Sequence, residues 1–141
     1  MSYLPVYIVQ YRREKGPYHW SIFVEKDAEA LDGAIFDIQG TPENFTFRSK
    51  GKASMKRSTA YAGRVCVGST LGTDQNLGKV EKALKEVTIV HNDENWNCQN
   101  WVLEGLAMLT KKKLLVLNKE PANVMRHLSE EEIREALGSQ K

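Results

Sequence analysis

Cys98 sits in the stretch Asn95-Trp96-Asn97-Cys98-Gln99-Asn100-Trp101, and small or apolar residues continue at Val102, Gly105, Leu106 and Leu109. The i, i+4, i+7, i+8, i+11 spacing predicts a helix packed on a core, with the cysteine in its first turn. Asn95 and Asn97 are both competent N-caps, because a short amide oxygen accepts from the free N–H groups of a first turn. The helix dipole favours an anion there. A thiol so placed ionises below its free value of about 8.5, and the thiolate is the nucleophilic form. Free cysteine also commonly fills core space. The chemistry therefore turns on whether a base accompanies it.

Three histidines offer that base: His19, His91 and His127. His127 lies in a polar setting near the C-terminus, and His91 lies in the linker before the cysteine helix. His19 opens Tyr18-His19-Trp20-Ser21-Ile22-Phe23-Val24-Glu25, which reads as a central strand. A strand holds an imidazole more rigidly than a loop does. Along it, Trp20, Ile22 and Val24 face one side, and His19, Ser21 and Phe23 the other.

The elements that must position these groups follow from the remaining pattern. Residues 6–11 and 33–40 read as strands flanking the histidine strand in an antiparallel meander. Residues 44–48 suggest a short fourth strand. Residues 49–58, with Lys50, Lys52, Lys56 and Arg57, read as an exposed loop or hairpin tip rather than a nucleic-acid patch, since no aromatics interleave the cations. Residues 61–68 give a fifth strand, in which Cys66 packs between Val65 and Val67. Residues 76–87 carry the apolar stripe Leu77, Val80, Leu84 and Val87 of a helix, with Asn76 as its expected cap. The cysteine helix ends within residues 110–113, where lysines suit the dipole. Residues 114–117 are too short to assign. Residues 121–127 suggest a helical turn, and Ser129-Glu130-Glu131-Glu132 has the spacing of a capping box opening a last helix. The expectation is an α+β fold, an antiparallel sheet of about five strands packed against two or three helices. It forms a single domain over residues 1–141, with a core at about 3–117 and a helical tail at 121–141.

Bulk composition narrows the function classes. A chain of 141 residues with 41% apolar and 27% charged residues is an ordinary globular domain. A net charge of +2 argues neither for nor against a strongly acidic or basic partner, and without aromatics interleaved among the cations no nucleic acid is expected. Two cysteines make no disulfide framework, and no signal peptide or bilayer-spanning segment is evident. These features lead us to expect a cytoplasmic or nucleocytoplasmic protein with no stable membrane anchor. No C-x-x-C or H-x-x-x-H pair and no phosphate-binding glycine motif is present, so neither metal nor cofactor is expected.

The motifs Tyr18-His19-Trp20-Ser21-Ile22-Phe23-Val24 and Asn97-Cys98-Gln99-Asn100-Trp101 resemble the permuted papain-like superfamily. That group includes the PPPDE family of deubiquitinating and desumoylating isopeptidases, the lecithin retinol acyltransferase-like enzymes and the NlpC-type cell-wall peptidases. In permuted members the histidine strand precedes the cysteine helix, as here. PPPDE sequences open their helix Asn-Cys-Asn-aromatic, one residue shorter before the aromatic than this chain. Small fungal proteins with a His-Trp strand and a Trp-Asn-Cys-Gln-Asn-Trp helix start are also similar. The resemblance implies a cysteine hydrolase, a peptidase or isopeptidase, acting through an acyl-thioester on a protein or peptide substrate such as a ubiquitin-like conjugate. Cys98 would be the nucleophile, His19 the general base, and Asp37 the residue that orients His19. Acyltransferase-like relatives tend to carry a histidine at that last place, so Asp37 departs from their pattern. The oxyanion would meet the Cys98 backbone N–H and a donor from Gln10, Asn97 or Gln99. Trp20, Trp96 and Trp101 either line a substrate groove or pack in the core. The alternatives are a thioester-forming acyltransferase and a catalytically silent protein-binding module on the same fold.

Overall fold

A computed structural model describes residues 2–15 and 18–117, with the side chain of Arg57 left out. The turn and helix expected at 121–137, and His127 with them, lie outside the described residues.

Six antiparallel strands form one sheet. They are β1 (Tyr3–Tyr11), β2 (His19–Asp27), β3 (Asp32–Gln39), β4 (Thr46–Ser54), β5 (Tyr61–Leu71) and β6 (Val116–Leu117), in the order β4-β3-β2-β1-β5-β6. The first three strands form the expected meander, β4 extends it beyond β3, and β1 and β2 lie at the centre. Two helices, α1 (Asp74–Lys85) and α2 (Cys98–Lys111), cover one face. The architecture is therefore α+β, an antiparallel sheet packed against helices.

Strand alternation divides the molecule into two cores. Val6, Ile8, Trp20, Ile22, Val24, Ala34, Phe36 and Ile38 face the helices. They meet Val80 and Leu84 of α1 and Trp101, Val102, Leu106 and Leu109 of α2. On the helix-free face, Val9, Phe23 and Ile35 pack under Met55 from the 3-10 turn Met55–Arg57 that follows β4. A second set of buried strand positions is thus covered by a connection rather than by a helix. At Gly105, a Cβ would sit 2.9 Å from Leu84 Cδ2 and 3.2 Å from Ile22 Cδ1. This glycine sets how closely α2 approaches both α1 and the sheet.

Three local expectations need correction. The basic stretch read as a loop is largely strand, because β4 runs on through Lys50 and Lys52 to Ser54. It is an edge strand, and lysines on an edge discourage pairing with other chains while hiding the apolar alternation that marks a strand. The cap of α1 is Thr73, whose hydroxyl accepts from Asn76 N at 3.1 Å. Asn76 itself lies in the first turn and donates to Thr70 Oγ1 and Leu71 O. Residues 116–117, left unassigned, form β6 against Gly68 and Ser69 and bring the strand count to six.

Candidate active site

α2 begins at Cys98, as the apolar stripe predicted. Between the two possible caps, the cap is Asn97. Its side chain accepts from Gln99 N at 2.8 Å, and the Asn97 N–H donates to Asn100 Oδ1 at 2.9 Å, completing a capping box. The Cys98 N–H is at the first helical position and has no intrahelical acceptor. Gln99 Nε2 donates to Tyr18 O at 2.9 Å, tying the helix start to the residue before His19.

Alternation puts His19 on the helix-free face, whereas Cys98 belongs to the helix-side core. They meet nevertheless, because His19 is the first residue of β2 and the sheet ends there. The Cys98 thiol and the imidazole lie close enough to shift one another's ionisation, and the Trp20 backbone N–H also favours the thiolate.

The far side of the ring is held by a buried carboxylate. His19 Nε2 lies 3.0 Å from Asp37 Oδ2, and Asp37 is fully buried. Ser21 Oγ donates to the same oxygen at 2.6 Å, and Arg48 forks onto both oxygens, through Nε at 2.9 Å and Nη2 at 2.6 Å. Gln39 Nε2 lies 3.2 Å from His19 Nε2. On the near side, Arg13 Nη2 approaches Nδ1 at 3.1 Å. Guanidinium only donates, so with Arg13 in this place the ring is neutral with its proton on Nε2, toward Asp37, and an imidazolium forms only once Arg13 moves off Nδ1.

The electrostatics follow from these contacts. Burial works to raise the Cys98 thiol, but the hydrogen bond and charge of His19, the Trp20 N–H and the Arg13 cation outweigh it and leave the thiol below its ordinary value. Burial likewise works to lower His19, and bonds to Asp37 and Cys98 overcome this and raise it. The Asp37 carboxyl, pushed up by burial, is brought below the ordinary range by His19, Arg48 and Ser21. Thiol down and imidazole up together favour a thiolate–imidazolium pair.

The remaining residues singled out in the sequence divide by role. Gln10 is fully buried on the helix side, the side on which Cys98 packs; its Oε1 accepts from Trp20 Nε1 at 3.3 Å and its Nε2 has no partner among the described residues. Trp20, Trp96 and Trp101 are core residues rather than groove walls. His91 Nε2 bonds to Phe45 O at 2.8 Å and serves the linker. Sequence reasoning missed Arg13, Ser21, Gln39 and Arg48. Of these, Ser21 carried a signal, sharing a strand face with His19 two residues on. Among the described residues, no group of three His, Cys, Asp or Glu is placed to hold a metal, and no helix is long and apolar enough to cross a membrane.

A cleft of about 470 Å³ lies on the helix-free face with His19 at one end. Cys98 does not line it and is only 1% exposed.

Residues 6–116 match a family of unknown function, DUF6540. No curated protein and no solved structure matches the chain.

Proposed function

This chain belongs to the DUF6540 family, and we propose that it is a cysteine hydrolase, a thiol peptidase or isopeptidase of permuted papain-like type. One observation carries the reading. The thiol at the start of α2 lies within electrostatic reach of an imidazole that a buried carboxylate holds through Nε2. Nucleophile, base and orienting group stand in the order that acyl transfer needs.

In the proposed cycle, His19 Nδ1 takes the Cys98 proton and the sulfur attacks the carbonyl carbon of an amide. Arg13 must leave Nδ1 for that proton to arrive. The carbonyl π electrons move to oxygen, which meets the Cys98 backbone N–H and, on the same side of the sheet, the unpartnered Gln10 Nε2. Collapse of this adduct breaks the C–N bond, and the proton on Nδ1 goes to the leaving amine. A water that loses a proton to His19 then cleaves the thioester, and the thiol is regenerated. Asp37 holds the ring and stabilises its cation throughout, without itself taking a proton. Among the described residues Cys66 and Cys98 form no disulfide, which suits the reducing cytosol that we propose as the compartment.

The near-complete burial of Cys98 and its absence from the cleft favour a second reading, a silent module that binds protein. Incubation with an activated ester such as p-nitrophenyl acetate, followed by intact-mass analysis, separates the two. The hydrolase acquires one acetyl group on Cys98, which is lost in Cys98→Ser and turned over by water. A silent module stays unmodified at that residue.

A further inference from the structure

The cleft that ends at His19 is bordered along one side by β4. Arg48, Lys50 and Lys52 all line it. These are alternate residues of one strand, and Arg48 and Lys50 lie opposite Asp37 and Ile35, which face the helix-free side. Alternate strand residues repeat about every 6.6 Å, so Arg48 and Lys50 lead away from the site in a row; the register against β3 shifts between Lys50 and Ala53, and Lys52 enters the cleft from that irregular stretch. Arg48, the one nearest His19, is committed to Asp37. Lys50 and Lys52 are exposed. Among the described residues no carboxylate lines the cleft. Asp32 stands beside Lys52 in two smaller neighbouring depressions, with Asp27 in one of them, which leaves Lys50 the less compensated of the two.

We propose that this cleft binds a short acidic peptide segment, whose carboxylates pair with Lys50 and Lys52. That this segment is the flank of a substrate rests on the hydrolase reading. The volume lies within the roughly 300–1,000 Å³ typical of ligand-holding clefts. A nucleic acid is the poorer fit. The cations occupy one strand, the whole chain carries only +2, and among the described residues Tyr11 is the only aromatic besides His19 that lines the cleft, which makes no stacking platform for successive bases.

The test is fluorescence anisotropy on the full chain at low salt, with a labelled six-residue peptide alternating Glu and Ala and its Gln-for-Glu counterpart. The acidic peptide binds about tenfold tighter than the neutral one, as expected for two exposed charge pairs. Lys50→Gln removes more of that preference than Lys52→Gln. Lys56→Gln, an exposed cation outside the cleft, leaves it unchanged. Equal binding of the two peptides, an equal loss in Lys56→Gln, or tighter binding of a six-nucleotide single-stranded DNA overturns the proposal. Alkylation of Cys98 is followed in parallel in the native chain and is unchanged in Lys56→Gln. A reactive Cys98 without peptide preference refutes the cleft assignment alone, and an inert Cys98 with the preference intact refutes the hydrolase alone.

Discussion

Asp37 shows how one buried charge serves both stability and chemistry. It accepts from Ser21, His19 and both arms of Arg48. Because its folded carboxyl lies below the ordinary value of about 3.9, its contribution is complete above about pH 4 and is lost as pH falls through the lowered folded value. Urea midpoints measured from pH 6 to pH 2 should therefore drop more steeply for the native chain than for Asp37→Asn. At pH 7 that variant should lose about 3 kcal/mol, the low end for a broken buried pair, because the Arg48 side chain left behind is 33% exposed. The same substitution removes the anion that raises His19, so Cys98 alkylation slows as well. Asp37 was a candidate because the resemblance implies a polar residue on the strand after that of His19, where it is the carboxylate set among Ile35, Phe36 and Ile38. Arg48 and Arg13 were not, because strand register and the path of a turn decide what they touch.

Among elements, α2 was the most legible and β4 the least. The α2 stripe survives intact because every member is buried against a partner, and Asn97 caps it. Asn97→Ala removes the cap and should cost about 1 kcal/mol of unfolding free energy, measured in urea. Two glycine substitutions probe the helices from opposite sides. Gly105→Ala drives a methyl into Leu84 and Ile22 and should destabilise by about 1–3 kcal/mol. At Gly78, in α1, a Cβ meets nothing within 4 Å. Gly78→Ala should therefore stabilise by about 0.4–1 kcal/mol, through helix propensity and a less free unfolded chain. β4 was hidden because an edge strand facing water has no need of apolar alternation, and its Arg, Lys and Ser residues mimic a loop.

For the molecule as a whole, one sheet serves two cores, and the site lies at the sheet's end, where a side chain from each face can meet. The pattern of residues within each strand revealed the two faces. It could not reveal that His19, at a strand's first residue, reaches a thiol belonging to the opposite face, since that depends on where the sheet stops. Because β1, β2 and β3 supply residues to both cores, the two should unfold together. Tryptophan fluorescence, which reports the helix side through Trp20, Trp96 and Trp101, and far-ultraviolet circular dichroism should trace coincident urea transitions.

The most direct measurement is the rate of Cys98 alkylation by iodoacetamide against pH, in a Cys66→Ser chain with and without His19→Ala. The paired thiol and imidazole predict a midpoint below the free-thiol value of about 8.5, and a rate at pH 7 roughly tenfold or more above that of the His19→Ala chain. An ordinary midpoint, with equal rates in both chains, would contradict the pairing and leave the fold without a nucleophile.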